Sequence, residues 1–87
     1  MFDKLTTQLL TAQNECTLSW VTQDGSPAAT VVSFFYEQDA IWMTAITNSP
    51  RIRAIGRDPR VAVVVSGAGT KVGHTRCVSM RGFCEVL

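Results

Sequence analysis

The chain has 87 residues, of which 46% are hydrophobic and 17% are charged, a composition typical of one small globular domain covering residues 1–87. Its formal net charge is +1, with neither a basic tail nor a general excess of positive charge, which argues against a nucleic-acid-binding protein or a charge-driven membrane-surface protein. No apolar run approaches the roughly 20 residues needed to cross a bilayer.

The cysteines indicate the cellular compartment. Cys16, Cys77 and Cys84 are odd in number and lack metal-ligand spacing. Cys77 and Cys84 fall on one predicted strand, and an extended chain at about 3.3 Å per residue holds them beyond disulfide reach. The N-terminus also lacks the basic region and apolar core of a signal peptide. We therefore predict free thiols and a cytoplasmic protein.

The first predicted element is a helix that is capped by Asp3 and ends near Asn14. Helical spacing of apolar residues predicts one buried face. That face contains Phe2, Leu5, Leu9 and Ala12. The period then changes to two in "CTLSWV", which predicts a half-buried strand. Its inward residues are Cys16, Leu18 and Trp20.

Two further strands follow at short intervals. Asp24-Gly25 is a strong hairpin signal. The next run, "AATVVSFFYE", is apolar on both faces and rich in β-branched and aromatic residues, which predicts a central strand covered on both sides. "EQDA" then predicts a turn into a third strand, "IWMTAI".

A short helix, "SPRIRAIGR", precedes the last two predicted strands. "RVAVVVS" is again apolar on both faces, and "RCVSMRGFCEVL" alternates between the two. The glycine-rich "GAGTKVGHT" between them is predicted to be a hairpin loop, because no helix follows it and neither GxGxxG nor GxxxxGK is present. Short loops favour antiparallel pairing. We predict a mainly β fold, a small antiparallel barrel with an N-terminal helix and one short helix between strands, whose outside a second copy covers in a homodimer.

Four of the chain's eight Lys and Arg residues lie within "TNSPRIRAIGRDPRV". Ser49 suits a helix N-cap and Pro50 the first helical position. Arg51 and Arg53 then fall near the helix start, where the helix dipole disfavours positive charge. A bound phosphate would relieve this conflict, because free backbone N–H groups, the dipole and a guanidinium would meet at one anion. The alternative is a surface helix with solvated charges.

Helical spacing ranks these arginines. Ile52 and Ile55 define the predicted buried face. Arg53 and Arg57 then point toward solvent, whereas Arg51 lies at the border of the buried face. Arg51 is therefore the first candidate phosphate ligand, and Arg53 is the second.

Other polar and aromatic residues are weaker candidates. Thr44 lies upstream of the helix start but is equally an ordinary strand residue. Ser33 interrupts an apolar strand and either bonds to backbone or lines a pocket. His74 is the only histidine, which gives no metal site. Trp20 and Trp42 are more typical of core or dimer contacts than of stacking platforms for nucleic acid.

Three segments in this order resemble the pyridoxamine 5′-phosphate oxidase-like family of FMN-binding split barrels: "TLSWVTQDGSPAATVVSFFYEQDAIWMTA", "NSPRIRAIGRDPRVAVVV" and "VSMRGFCEV". The most similar is "SPRIRAIGRDPRVAVVV", where the family shows a basic helix start, then Asp/Asn-Pro-Arg-Val and a hydrophobic strand. The resemblance implies a split antiparallel β-barrel, usually a homodimer, with FMN at the dimer interface.

The resemblance also implies roles for individual residues. Arg51 would hold the FMN phosphate, with Thr44 and Arg53 as further phosphate contacts. One strand would run its backbone along the isoalloxazine ring. The remaining implied cofactor-binding residues are Val31, Val32 and Ser33 on that strand, together with Met43 and Ser49.

Three features depart from the family pattern. Pro50 stands where many members carry another basic residue, and Cys77 stands where the vitamin B6 oxidases carry a glutamine near the flavin. The sequence ends at Leu87, before the segment that holds the substrate-binding Arg and His of the true oxidases. We therefore expect a truncated or minimal member, for which vitamin B6 oxidation is not implied.

Three hypotheses of function follow. The first is an FMN-binding oxidoreductase-like protein with an unassigned substrate and no assigned catalytic residue. The second is a non-catalytic module that binds deazaflavin (F420) or haem, or that carries flavin. A third hypothesis is a structural dimer, in which the arginines pair across the interface with Glu37 or Asp39.

Overall fold

The computed structural model describes residues 2–45 and 48–87, which form two helices and an antiparallel sheet of five strands. The elements are α1 (Lys4–Ala12), β1 (Glu15–Val21), β2 (Pro27–Glu37), β3 (Ala40–Met43), α2 (Pro50–Arg57), β4 (Arg60–Ser66) and β5 (Cys77–Phe83). The strands lie in the order β3-β2-β1-β4-β5, and the sheet curls into half a barrel. This confirms the predicted mainly β, split-barrel class and the predicted order of elements.

The hairpin between β1 and β2 is built by its turn residues. Val21 pairs with Pro27 at the hairpin end. The Thr22 N–H donates to the Ser26 carbonyl (2.9 Å), and the Gly25 N–H donates to the Thr22 carbonyl (3.0 Å). Gly25 adopts a φ of 87°, which a residue with a side chain rarely accepts. The Asp-Gly turn prediction is confirmed.

The turn between β2 and β3 has only two residues. Glu37 pairs with Ala40, and the residues between them, Gln38 and Asp39, have φ values of 56° and 58°. Two consecutive positive φ angles identify a turn that matches the twist of the flanking strands. The Tyr36 hydroxyl donates to the Asp39 carboxylate (2.8 Å), and this hydrogen bond raises the pKa of Tyr36.

The hydrophobic core lies between one face of the sheet and both helices. Its buried residues are Leu9 and Leu10 from α1, Cys16 and Leu18 from β1, Phe34 from β2, Ile55 from α2, and Val63 and Val65 from β4. Leu18 pairs directly with Val63, so the two central strands present their buried side chains to the same layer.

The predicted buried face of α1 is only partly correct. Leu9 is buried as predicted, but its neighbour Leu10 is buried too, whereas Leu5 is 45% exposed and Ala12 is exposed. The helix contacts β2 and β4, and it meets them through its C-terminal half rather than along its whole length. Asp3 caps it as predicted, because its carboxylate accepts the Thr6 N–H (2.7 Å).

The second cover predicted for β2 and β4 does not come from the described residues of this chain. Val31 and Phe35 of β2 are 62% and 53% exposed, and Val64 of β4 is 37% exposed. Both helices pack on the core face, so nothing within the described ranges covers the opposite face, which we call the outer face. The predicted cover by a second copy stays a prediction.

The predicted third strand is too long. β3 ends at Met43, and Thr44 lies just beyond it with an exposed side chain. Ile46 and Thr47, which belong to the predicted strand and the arginine-rich stretch, lie outside the described residues.

The alternation predicted for the last strand is confirmed along β5. Val78 and Met80 are half-buried against the core, whereas Ser79 and Arg81 are exposed. The three cysteines are free thiols, as predicted. Among the helices described, none has the length and apolarity needed to cross a membrane.

Candidate functional site

The start of α2 is organised by Ser49. Its hydroxyl oxygen accepts the Ile52 N–H (3.2 Å), and its carbonyl accepts the Arg53 N–H (3.1 Å). Pro50 occupies the first helical position and has no N–H to satisfy. No acidic residue lies in the first turn, so nothing there complements the helix dipole.

This arrangement corrects one expectation. The sequence predicted several free backbone N–H groups at the helix start, yet Ser49 already engages those of Ile52 and Arg53. In the described part of the chain, the Arg51 N–H is the one amide of the first turn that makes no hydrogen bond. An anion at this end would therefore be held mainly by side chains.

The helix docks through Ala54 and Ile55, which are 5% and 2% exposed. Ile52, predicted to share the buried face with Ile55, is only half-buried. Ala54 is buried in place of Ile52, so the buried face of α2 is rotated about the helix axis from the predicted one. Arg51 nevertheless lies half-buried at its border, as predicted, and Arg53 is exposed.

A cleft of about 270 Å³ opens between α2 and the hairpin end of β1. The residues that line it are Trp20, Thr22 and Gln23 from β1 and its turn, and Pro50, Arg51, Arg53, Ala54 and Arg57 from α2. We call it the arginine cleft, because three of the eight lining residues are arginines and none is acidic.

Arg57 was predicted to be solvated and apart from the site. It is exposed but lines the arginine cleft with Arg51 and Arg53. The spacing of Pro50, Arg53, Ala54 and Arg57 contained the signal, since positions i, i+3, i+4 and i+7 share one helix face.

Arg51 lies over the indole of Trp20. Its guanidinium carbon is 5.8 Å from the ring centroid, within the range of a cation–π contact. Trp20 is half-buried and packs on the core, as predicted for a core residue, but its contact with Arg51 was not foreseen. No sequence pattern pairs residues so far apart in the chain.

Arg53 already has a partner. Its guanidinium donates to the carbonyl of Asn48, a residue whose backbone has a positive φ of 65°. Arg53 therefore closes the turn that leads into α2, and a role in ligand binding would compete with this contact.

The acidic residue that follows α2 does not neutralise the arginine cleft. Asp58 accepts from the Arg60 side chain at Nε (2.9 Å) and Nη2 (2.6 Å). These hydrogen bonds lower the pKa of Asp58 to about 2. Within residues 2–45 and 48–87, this is the one ion pair, so the three cleft arginines keep their charge uncompensated by a carboxylate.

The strand predicted to contact a flavin ring has, among the described residues, one stretch of edge that no other strand pairs, which we call the open edge. β2 pairs with β1 from Pro27 to Ser33, but it pairs with β3 only from Phe34 onward. The Phe34 N–H donates to Asn14 (3.0 Å). Because hydrogen-bonding direction alternates along an antiparallel strand, Val31 and Ser33 direct their N–H and C=O groups away from β1.

The predicted residues are not all brought together in one chain. Val31 and Ser33 have exposed side chains on the outer face, whereas Val32 packs toward the core. Met43 is half-buried and pairs with Phe34. Arg51 lies over Trp20 on the core side of the sheet.

The described residues include no group of three or more His, Cys, Asp or Glu side chains that could hold a metal ion. His74 is exposed in the loop between β4 and β5. It is not among the residues that line the arginine cleft.

A match to the sequence model of a known protein family shows where the chain belongs. The model described as pyridoxamine 5′-phosphate oxidase matches residues 2–87, nearly the whole chain. The chain belongs to this family. No curated protein matches its sequence significantly.

Solved structures agree with this assignment to the pyridoxamine 5′-phosphate oxidase family. An F420 reductase is 25% identical, with a TM-score of 0.78 over 91% of this chain and 60% of its own. A FAD-binding protein from Mesorhizobium loti is 25% identical, with a TM-score of 0.63 over 78% of this chain and 50% of its own. A conserved hypothetical protein from Mycobacterium tuberculosis is 24% identical, with a TM-score of 0.81 over 95% of this chain and 51% of its own.

This member of the pyridoxamine 5′-phosphate oxidase family thus spans between about half and three fifths of the length of these solved relatives. The split-barrel fold is shared across that span, and the family match over residues 2–87 confirms the resemblance read from the sequence.

Proposed function

We propose that residues 1–87 form a single domain that binds FMN and supports oxidoreductase chemistry as a homodimer. In this proposal the phosphate lies at the Arg51 end of α2, and the ring lies along β2. The observation that carries it is the arginine cleft, which collects three guanidinium groups without an acid in a member of this family. A cytoplasmic location belongs to the same proposal and accords with the three free thiols.

The side chains around α2 fit a phosphate group. Arg51 presents a guanidinium whose planar N–H groups match phosphate oxygens. The Ser49 hydroxyl uses its oxygen to accept the Ile52 N–H, so its own proton remains a donor. Arg53 is a secondary ligand, because it would have to share its contact with Asn48.

The open edge of β2 fits a heterocyclic ring that carries both donors and acceptors. The N–H and C=O groups of Val31 and Ser33 point to this edge, while Val32 keeps the strand bound to β1. Met43 pairs with Phe34, so Thr44 follows toward the level of Ser33. These residues would orient the ring, and the flavin, when bound, supplies the hydride or electron transfer.

A second copy of the chain would complete this site. The arginine cleft, at about 270 Å³, is smaller than the roughly 300–1,000 Å³ typical of complete small-molecule pockets. The outer face also leaves large apolar side chains in solvent: Phe83 is 82% exposed, and Val31 is 62% exposed. Covering that face with a second subunit would remove water from it and would bring further residues to the cofactor.

F420 binding is the second candidate, favoured by the likeness to an F420 reductase at 25% identity. Haem, by contrast, needs an axial side-chain ligand such as histidine. The one histidine, His74, is not in the lining of the arginine cleft. A non-catalytic flavin carrier would use the same anchors as the enzyme.

Binding of FMN and riboflavin tests the proposal, because the two ligands differ only in the phosphate. Wild-type protein should bind FMN more tightly than riboflavin in a fluorescence titration. R51A should lower FMN affinity roughly 10- to 100-fold, the range expected for charge-assisted hydrogen bonds. Riboflavin affinity should not change.

R60A is the matched control, because Arg60 lies in the same basic stretch but is paired with Asp58. It should leave FMN affinity unchanged. Equal FMN affinity in wild type and R51A would overturn the phosphate assignment. If R51A instead weakened only the dimer in analytical ultracentrifugation, the structural-dimer hypothesis would take its place. A titration with F420 in place of FMN tests the second candidate, F420 binding.

A further inference from the structure

Arg51 contacts a tryptophan, Trp20, that belongs to the centre of the sheet. Trp20 lies on β1, the middle strand of the sheet, and pairs with Ala28 of β2 on one side and Val61 of β4 on the other. Backbone pairing on both sides fixes the Cα of Trp20 and the direction in which its side chain leaves the sheet. The guanidinium carbon of Arg51, which is on a helix packed against the same strand, stands 5.8 Å from the ring centroid.

The position of Arg51 makes a supporting contact of this kind necessary. It stands in the first turn of α2, where the helix dipole repels it, and it shares the cleft with Arg53 and Arg57. A carboxylate partner would hold it but would also cancel its charge and occupy its N–H groups, as Asp58 does with Arg60. An aromatic face attracts the cation through the ring quadrupole and leaves the in-plane N–H donors free.

We propose that Trp20 is a positioning residue for Arg51, which holds the guanidinium ready for the phosphate of the ligand without neutralising it. This inference rests on the proposed function, since it names the support of the same phosphate site. Trp20 itself need not touch the phosphate. Its contribution is to limit the conformations that Arg51 explores before the ligand binds, which lowers the entropy lost on binding.

Three substitutions at Trp20 test the inference. W20L removes the aromatic face and keeps an apolar side chain, W20M does so with a longer and more adaptable one, and W20F keeps a smaller aromatic face. FMN affinity should fall about two- to fivefold in W20L and W20M, the size of an exposed cation–π contact, and it should be largely retained in W20F. Riboflavin affinity should stay unchanged in all three.

A double-mutant cycle makes the test specific to Arg51. In an R51A background, W20L and W20M should cause no further loss of FMN affinity, because the group that they position is gone. W42L is the control, since it removes the other tryptophan ring, which stacks on Phe35 at a centroid distance of 6.3 Å, and should leave the ratio of FMN to riboflavin affinity unchanged.

The possible outcomes distinguish the role of Trp20 from the phosphate site on which it rests. If R51A weakens FMN binding but W20L and W20M do not, Trp20 has no positioning role and the phosphate site stands. If the losses of W20M and R51A simply add, the two residues act independently and the inference fails. A parallel loss of riboflavin affinity in the Trp20 variants would mean that the indole packs on the flavin ring itself. If R51A has no effect, the proposed function fails and the inference fails with it.

Discussion

The arginines near the two ends of α2 meet opposite environments. Beyond the C-terminal end, Arg60 is held by Asp58 through two side-chain hydrogen bonds of 2.9 and 2.6 Å. Near the N-terminal end, Arg51 has an aromatic ring beneath it and no acid in the cleft around it. One positive charge is compensated by a neighbour in sequence, and the other is left for a ligand.

The difference shows what separates a structural arginine from a candidate binding arginine. Arg60 has a carboxylate two residues away, which requires no tertiary structure. Arg51 has no acid in its helical turn, and the residue that supports it, Trp20, lies on β1. Substitutions that undock the whole helix, or that alter only one of its ends, test this difference between Arg51 and Arg60 directly.

The largest expected effect comes from undocking the whole helix. Ile55 is 2% exposed in the core, so I55A should lower the free energy of unfolding by about 2–5 kcal/mol through lost burial and a residual cavity. FMN affinity should fall with it, because both Arg51 and its contact with Trp20 depend on the docked helix. Chemical denaturation and FMN titration check the two effects.

V64A is the control for this experiment, since Val64 is 37% exposed on the outer face. In a monomer it should cost much less stability than I55A, whereas the proposed homodimer, which buries this face, predicts a larger loss. A loss in V64A as large as that in I55A would show that the outer face is buried in solution, as a dimer predicts.

A smaller effect should follow from removing the cap at the Arg51 end only. S49A deletes the hydroxyl that accepts the Ile52 N–H and should lower the free energy of unfolding by about 1 kcal/mol. D3A removes the equivalent cap of α1 and should cost a similar amount. Thermal unfolding and FMN titration of both variants should show that only S49A also weakens FMN binding; equal FMN affinities would exclude Ser49 from the phosphate site.

The smallest effect belongs to the Asp58 end and depends on pH. The pKa of Asp58 is about 2, below the ordinary value of 3.8, so its bond with Arg60 stabilises the fold above pH 3.8 and is lost as pH falls through 2. The melting temperature of D58N should therefore fall less between pH 4 and pH 2 than that of wild type. At neutral pH, FMN affinity in D58N should match wild type, and identical acid profiles would contradict the assigned pKa.

Local chemistry made much of the fold predictable. The Asp24-Gly25 turn, the Ser49 and Asp3 caps, and the two-residue alternation of β1 and β5 depend on neighbours in sequence, and the structure contains all of them. The half-buried position of Arg51 also followed from helical spacing.

Tertiary packing decided the rest. The burial of Leu10 rather than Leu5 depends on how α1 meets β2 and β4, which no periodicity encodes. Apolar residues on both faces of β2 predicted cover on both sides, but the pattern does not say whether the cover comes from this chain or from another. The place of Trp20 beneath Arg51 depends on docking a helix against a distant strand.

The open edge of β2 has a consequence for the behaviour of the purified protein. The N–H and C=O groups of Val31 and Ser33 face away from β1 and pair with no strand among the described residues. Beside an apolar outer face, such an edge is a template onto which another extended chain can add. Covering this edge with a cofactor ring or a subunit would also protect the protein from self-association. Solubility at high concentration and resistance to fibril formation would then depend on the same few backbone atoms that we assign to the ligand.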